Sequence, residues 1–369
     1  MPAEFESGAF ANTPAWHGAG TVVQGFMSTS EAFVKSGLDW PGGVEKRPLF
    51  APAARFDINA QPLDVLEAAD LPLHSLGDRR VKVLQEPLLI PDRWAVVRNK
   101  DNSVLGVVGP EYQVIQNVEM FNFLDALTTG EDKVAQWESA GALRGGRRVW
   151  ALLNLVESEI IVGKGDRVLP YLLVHNAHDG SGACKVQPVT VRVVCMNTLE
   201  AAIAGTFREL TVTIRHTGDV KNKLAAAKLV LAQAGEMFGA FGRVANELAE
   251  VEVKREQFEE LVNDLFPLPE GEDASKAAIT KVGQARDIFG LALREEVKLL
   301  AAPGAGFSYW TLLNSVTRYT DHARKVQVGK GREAGEARFE ATMLGGGAAF
   351  KRLAAARIIE LAGLKGSLV

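Results

Sequence analysis

The stretch from Ala140 to Asn197 constrains the fold most, because it carries the densest strand-like patterning of the chain. Val149–Val156 and Val168–Val174 are rich in apolar and β-branched residues and are bounded by glycine and polar turns. The segment Arg144-Gly145-Gly146-Arg147-Arg148, which precedes the first of these runs, has the composition of a tight hairpin turn. Strands joined by such a turn pair antiparallel, so the centre of the chain predicts an antiparallel sheet.

The residues around this stretch extend the sheet and add helices. A further strand is predicted from about Ala183 to Val194, and Pro188 within it indicates an edge or a bulge. Asn117 is a good N-cap for the helix VEMFNFLDAL before the sheet, and Asn197 for the helix TLEAAIAG after it. The predicted order is helix, three or four antiparallel strands, helix, and then the short strand ELTVTIRHT.

The N-terminal part alternates glycine, proline and single aromatic residues, which is typical of an irregular arm. Within it, Ser28-Thr29-Ser30-Glu31 is a capping box that predicts a short helix ending near Ser36. Trp16 and Trp40 flank this helix and are expected to anchor the arm on the main domain. The polar turn Asn99–Asn102 between two apolar runs predicts a separate hairpin.

The C-terminal third has only helical patterning. A heptad-like repeat predicts a long helix, or a helical hairpin with a break near Gly242, followed by a Pro-rich linker. We expect an α+β fold, a bent antiparallel sheet backed by helices, with a long helix and an all-helical C-terminal part. The predicted regions are an irregular arm (1–60), an α+β core (61–218), the long helix or hairpin (219–266), the linker (267–273), and three helices at about 274–301, 308–325 and 333–364 in a helical region (274–369).

Charge and cysteine content narrow the functional classes. The net charge of −4 excludes a globally basic nucleic-acid binder, but residues 141–223 hold 11 Lys+Arg against 7 Asp+Glu. Cys184 and Cys195 are too few for a disulfide framework and give no zinc spacing, so free thiols in a reducing cytoplasm are expected. The N-terminus does not resemble a signal peptide, and no apolar run reaches the ~18 residues of a membrane helix, so no membrane partner is expected.

The first candidate site is the basic cluster of the central hairpin. Arg144, Arg147 and Arg148 bracket its tip, and guanidinium groups at a tip suit phosphate oxygens. The alternative is a solvated turn whose arginines pair with a carboxylate of the same chain. Neighbouring strands add three further candidates for a nucleic-acid-binding surface, Lys185, Arg192 and Arg215.

The second candidate site is the polar turn His175–Ser181. His175, His178 and Asp179 could offer two imidazoles and a carboxylate to a divalent metal ion. The alternative is turn chemistry, in which Asn176 and Asp179 hydrogen-bond the backbone. The chain has no phosphate-loop motif, so no cofactor is expected and an ATP-driven activity is disfavoured. A reactive pair of Cys195 with His216 is also disfavoured, because apolar neighbours favour an inert thiol.

Several segments resemble the "phage/plasmid-like protein" family, a domain of unknown function of phages, plasmids and other mobile elements. The segments are WHGAGTVV, GLDW, LGVVGPEYQVIQN, SAGALRGGRRVWALLNL, YLLVHNAHDGSGACKVQPVTVRVVCMNTL and IRHTGDV. The predicted topology is also similar to that of single-strand annealing recombinases, whose bent sheets assemble into rings that hold single-stranded DNA in a basic groove. This second resemblance is an analogy of fold and gene context, without a shared motif.

The sequence therefore favours a non-enzymatic protein that binds single-stranded DNA and anneals strands in recombination of a phage or plasmid, without ATP. A homo-oligomer, such as a ring, would extend the groove. One alternative is a metal-dependent hydrolase or nuclease that uses the His175–Asp179 turn. The other is a structural protein whose long helix forms an assembly surface.

Overall fold

The computed structural model describes most of the chain. The described residues are 7–11, 21–25, 27–51, 54–56, 81–83, 87–129, 133, 135–155, 159–192, 198–200, 211–218, 234–271, 275–301, 306–329 and 334–364. Helices and strands both contribute largely, and the strands form separate sheets, so the α+β class is confirmed. Within these residues, no helix is both long and apolar enough to cross a lipid bilayer.

The main sheet has nine strands among the described residues. Seven of them follow one another in the order β13-β12-β11-β9-β8-β1-β2, while β10 pairs with β11 and β14 with β12. Their bounds are β1 Ser7–Ala11, β2 Thr21–Val23, β8 Ala135–Leu143, β9 Arg148–Leu155, β10 Ile160–Val162, β11 Asp166–Ala177, β12 Cys184–Arg192, β13 Thr198–Glu200 and β14 Val212–Ile214. All pairs are antiparallel except β1–β2, which makes the sheet mixed.

The central hairpin of the sheet is confirmed, and one neighbouring element differs from prediction. The residues after Asn197, expected to begin a helix, form strand β13, which pairs with Val189–Val191 of β12. Backbone pairing with an available strand thus overrides the helical preference of Thr198–Glu200. Pro188 lies between the part of β12 that pairs with β14 and the part that pairs with β13, so among the described residues it has a strand partner only on the β11 side.

A second sheet has the order β3-β6-β7. Its strands are β3 Val44–Ala51, β6 Leu88–Arg98 and β7 Ser103–Val108, and the predicted turn Asn99–Asn102 joins the last two. Two short strands, β4 Ala54–Phe56 and β5 Val81–Val83, form a third sheet. The arm over residues 1–60 is therefore not irregular throughout, because pairing with distant strands orders segments that lack a strand signal of their own.

The helices follow the predicted order over the C-terminal part, and the last predicted helix forms two helices, because the run Gly345-Gly346-Gly347 interrupts it. Their bounds are α1 Thr29–Lys35, α2 Asn117–Thr128, α3 Ala234–Glu250, α4 Arg255–Leu265, α5 Lys276–Leu300, α6 Tyr309–Arg318 with a π-helical turn Tyr319–Ala323, α7 Ala334–Met343 and α8 Gly346–Leu361. The capping box at Ser28 is confirmed. The N-cap of α2 is Gln116 and not Asn117, whose side chain is used in a tertiary contact.

The long helix predicted from 219 is interrupted. Its first part lies outside the described residues, and α3 and α4 are separated at residues 251–254 and not near Gly242. A backbone bond from Val253 N–H to the Phe307 carbonyl (2.9 Å) holds this break. The pattern of apolar residues changes phase near Val251, so the break follows the sequence. Residues 267–270 after α4 form neither helix nor strand, while residues 272–273 of the predicted linker lie outside the described residues.

The main sheet is buried on both faces. On one face, β9 and β11 contribute Ala151 and Val174 to a large core shared with Phe121 of α2, Phe241 of α3 and Trp310 of α6. On the opposite face, a smaller cluster packs β-strand residues against α7, with members Phe10, Leu143, Trp150, Tyr171, Leu173, Val189, Val191, Phe339 and Met343. The face covered by α7 also carries the candidate site.

Candidate functional site

The arginine turn lies between β8 and β9, as predicted. Arg144 adopts a positive φ of 55°, and Gly145 and Gly146 follow with φ of 65° and 83°. The Arg144 N–H donates to Glu336 Oε1 at 2.6 Å, so a carboxylate of α7 helps to fix this left-handed residue. The tip of the hairpin is therefore attached to the helix that covers the sheet.

Two of the three arginines share a buried carboxylate, Glu340 of α7. Arg144 donates from Nε to Glu340 Oε2 (2.8 Å) and from a terminal nitrogen to Oε1 (2.6 Å). Arg148 reaches the same Oε1 at 3.3 Å and also donates to Ser181 Oγ at 3.2 Å. The Glu340 side chain is only 8% exposed, so the paired arrangement is favoured over a free carboxylate.

Three of the sequence candidates, two exposed and one partly buried, take no part in these ion pairs. Arg147 is exposed at the turn, Arg215 is exposed after β14, and Lys185 is partly buried at the start of β12. None of the three has an ion-pair partner within the described part of the chain. We call Arg147, Lys185 and Arg215 the cationic row.

The strand register places this row at one end of the main sheet. Arg148 pairs with Ala177, Lys185 pairs with His175, and Thr213 pairs with Lys185. Adjacent strands are about 4.8 Å apart, so positions on β9, β11, β12 and β14 follow one another at roughly that spacing. Trp150 also pairs with His175, which puts His175 and Lys185 on the face that α7 covers elsewhere.

Arg192 does not lie beside the cationic row. It pairs with Val168 at the far end of β12, seven residues from Lys185, which corresponds to roughly 23 Å along a strand. Its side chain lies outside the described residues. The prediction that neighbouring strands place it beside the other arginines took no account of position along the strand.

His175 and His178 are held neutral. The pKa of His175 is lowered to about 3, mainly because the ring is buried. The nearby positive charges of Lys185 and Arg148 lower it further. The pKa of His178 is also lowered to about 3, again mainly by burial and then by electrostatic repulsion from the nearby His216. Neither imidazole contributes a positive charge near neutral pH.

The contacts of His178 indicate that it has a structural role. Asn117 Nδ2 donates to the Leu38 carbonyl (3.1 Å), so Asn117 Oδ1 accepts from His178 Nε2 at 2.9 Å. The His178 N–H donates to the Arg147 carbonyl at 2.8 Å, and its ring lies 5.6 Å from that of Trp40. Trp40 thus anchors its segment as predicted, while Trp16 lies outside the described residues.

The polar turn after β11 follows the turn-chemistry alternative. Asn176 donates to the Ile115 carbonyl (3.2 Å), and Asp179 Oδ1 accepts from the Ser181 N–H (2.9 Å). A Cβ at Gly106 of β7 would lie 2.5 Å from Asp179 Cα, so the turn packs directly on the second sheet. In the part of the chain that the structure describes, no three His, Cys, Asp or Glu side chains come together as metal ligands.

Of the two thiol candidates, only Cys184 lies among the described residues. Cys184 is buried, and burial raises the pKa of its thiol to about 12. Cys195 lies outside the described residues. His216 stacks on Tyr112 with ring centroids 4.5 Å apart and donates from Nδ1 to the Gln113 carbonyl at 2.8 Å.

Sequence reasoning missed Glu336 and Glu340, which complete the site. Both lie in α7, nearly two hundred residues after the arginine turn, and both are buried although charged. A local pattern cannot predict such a pairing. The available local signal is a predicted helix with two carboxylates four residues apart, which places both on one face.

Comparison with known proteins gives a family and no function. No curated protein and no solved structure matches the chain significantly. Residues 104–343 match the model of a domain of unknown function, DUF932. This match covers well over half of the chain and contains the arginine turn, the cationic row and the two α7 carboxylates. The chain therefore belongs to the DUF932 family.

Proposed function

We propose that this protein binds single-stranded DNA through its phosphate backbone and promotes annealing of complementary strands without ATP. The observation that carries the proposal is the cationic row, Arg147, Lys185 and Arg215, at one end of the main sheet and without ion-pair partners in the described residues. Phosphate contacts by such a row would hold a strand without reading its bases. The bases would then remain available for a second strand.

The charge around the row supports an anionic partner. Near the row lie five cationic and three carboxylate side chains, an excess of two positive charges. The cations are Arg144, Arg147, Arg148, Lys185 and Arg215, and the carboxylates are Asp179, Glu336 and Glu340. Glu340 occupies Arg144 and Arg148 in the free protein, so a phosphate would have to compete for them. The cationic row therefore supplies the first contacts.

The test is binding of the full chain to a fluorescent oligonucleotide, with a chelator present and salt titrated from low to physiological. Each lost phosphate contact reduces the salt slope by about 0.7 for a single strand, so the triple change Arg147→Ala, Lys185→Ala and Arg215→Ala is expected to lower it by about 2. The matched control removes three exposed cations elsewhere, Arg93, Lys164 and Arg243, each replaced by alanine. The control is expected to bind like the unaltered protein. Absence of binding at low salt, or an equal loss in both variants, contradicts the proposal.

We propose the biological setting from the resemblance of several sequence segments to the phage/plasmid-like protein family. A strand-annealing protein of a phage or plasmid would act in recombination, and several copies would extend the row along one strand.

The second sheet carries apolar side chains that we propose as contacts for self-association. Leu88, Leu89, Val104 and Val107 are 50–62% exposed. Light scattering after size-exclusion chromatography tests this, since Leu88→Ser with Leu89→Ser is expected to reduce the measured mass.

The metal-dependent alternative has no comparable support, because Asn117 holds His178, and Asp179 accepts from Ser181. Loss of an oligonucleotide substrate on addition of a divalent metal, abolished by His178→Ala, would revive it. Without such loss, the metal-dependent alternative is rejected.

A further inference from the structure

A cleft of about 1020 Å³ opens beside the arginine turn. Its walls are the first half of α5, the segment after the π-helical turn, the junction of α7 and α8, and the linker after α4. Arg144 lies at its edge, whereas Arg147, Lys185 and Arg215 do not line it. The cleft is therefore a separate feature from the cationic row.

Positive side chains converge on this cleft. Lys281 of α5, Arg324 and Lys325 are exposed along its walls and have no ion-pair partner among the residues that the structure describes. With Arg144 they make four cations, while Glu340 is the one carboxylate among the described lining residues. The Arg324 guanidinium lies 5.8 Å from the Phe350 ring centroid, and the backbone N–H of Arg324 donates to the Tyr319 carbonyl (2.6 Å), which fixes the residue at the cleft wall.

The start of α8 adds donors to the same cleft. Its N-cap is Gly345, which has no side chain to cap the helix, and the first helical bond runs from Ala349 N–H to the Gly345 carbonyl (3.2 Å). Gly346 and Gly347 line the cleft. The N–H groups of a first helical turn and the positive end of the helix dipole favour a negative charge there, which reinforces the side-chain cations.

The rest of the lining is apolar, and this limits the ligand. Val282, Ile288, Phe350 and Pro267 line the walls, and the volume is at the upper end of the usual range for small-molecule sites. An inorganic phosphate would leave these surfaces uncovered. The cations require an anionic group, and the apolar walls require an organic body attached to it.

We propose that this cleft binds a phosphate ester of nucleotide size, with the phosphate at Lys281, Arg324 and the α8 N-terminus. The ligand is either a free nucleotide or a terminal nucleotide of a DNA strand, because both present the same phosphate and organic body. The site does not depend on the proposed strand binding, since the cationic row and the cleft share only the neighbourhood of Arg144 and Glu340.

The experiment is isothermal titration calorimetry of the full chain with thymidine monophosphate, pyrophosphate and a short 5′-phosphorylated oligonucleotide, each at low and physiological salt. Lys281→Ala with Arg324→Ala is expected to weaken nucleotide binding at least tenfold. The matched control, Arg93→Ala with Lys164→Ala, removes the same charge from exposed sites outside the cleft and is expected to bind normally.

A second variant separates binding from folding. A Cβ at Gly346 meets no atom within 4 Å, so Gly346→Asp is tolerated sterically and places a carboxylate at the start of α8. That charge favours the helix but repels an anionic ligand. Unchanged or raised thermal stability with at least tenfold weaker binding is the expected result, and Gly346→Asn of similar size is expected to bind nearly normally.

The outcomes distinguish the ligand sources and the two proposals. Binding of the mononucleotide identifies a free nucleotide as sufficient, while binding of the oligonucleotide alone, lost in the Lys281/Arg324 variant, identifies a strand terminus. Nucleotide binding that survives loss of the cationic row supports the cleft even where strand binding fails. No binding of any of the three probes at low salt, or binding equal in the cleft variant and its control, overturns the inference.

Discussion

Replacement of Glu340 by glutamine would remove the charge that holds the arginine turn on α7. The carboxylate accepts from Arg144 at 2.6 and 2.8 Å and lies 3.3 Å from Arg148. Glutamine keeps the side-chain size and one acceptor oxygen, so the substitution changes charge more than packing. It leaves two guanidinium groups beside an uncharged amide.

The magnitude follows from burial. Two unit charges 4 Å apart attract by about 4 kcal/mol at an effective dielectric constant near 20, and loss of one partner of a buried pair costs about 3–5 kcal/mol. The arginine side chains are 37% and 19% exposed, so water replaces part of the lost interaction. We expect the free energy of unfolding to fall by about 2–3 kcal/mol.

Urea denaturation of Glu340→Gln, Arg144→Met and the double variant measures this energy and its coupling. The matched control is Glu295→Gln, which breaks an exposed pair with Lys298 (54% and 70% exposed) and is expected to cost under about 0.5 kcal/mol. An effect of Glu340→Gln as small as the control, or additive single variants, would refute the reasoning. If the cationic row binds DNA, the same variant frees two arginines and is expected to steepen the salt slope by up to about 1.4.

Three further predictions concern stability. Lys351→Met breaks the pair with Asp321 (2.9 Å; side chains 2% and 0% exposed) and is expected to cost about 3–5 kcal/mol in urea denaturation, whereas Lys351→Met with Asp321→Leu recovers part of it. Burial raises the pKa of Glu138 from 4.5 to about 7, so the folded state binds the proton more tightly and stability falls by up to about 3 kcal/mol as pH rises between these values. Denaturation across this pH window checks it, and Glu138→Gln is expected to remove that part of the pH dependence. Gly106→Ala would place a Cβ 2.5 Å from Asp179 Cα and cost about 1–3 kcal/mol in thermal or urea unfolding, while Gly109→Ala meets no atom within 4 Å and is expected to be near neutral.

Local signals in the sequence account for much of the fold. The central hairpin follows from Gly145 and Gly146, and the first helix from the capping box at Ser28. The break between α7 and α8 follows from the run Gly345-Gly346-Gly347, since a Cβ at Gly347 would lie 2.7 Å from the Ala341 carbonyl oxygen. These features depend on a few consecutive residues, which is why they could be predicted.

Features that depend on distant residues could not be predicted in this way. Strand β1 is ordered by pairing with β8, and β13 forms because β12 offers it a backbone partner. The candidate site shows the same limit. Its arginine turn was evident, whereas the α7 carboxylates that occupy two of its arginines became apparent only from the tertiary structure.

The position of β1 affects folding during synthesis and the choice of a fragment for expression. Ala9 pairs with Ala140, so β1 must wait for more than a hundred further residues to be synthesised before its partner strand emerges. At the other end, Lys351 lies beyond residue 343, the limit of the family match, yet it neutralises Asp321 within it. A fragment cut to the matched residues would therefore carry an open sheet edge and an uncompensated buried charge. The matched segment, residues 104–343, leaves out these contacts, so expression or domain exchange should use a longer segment.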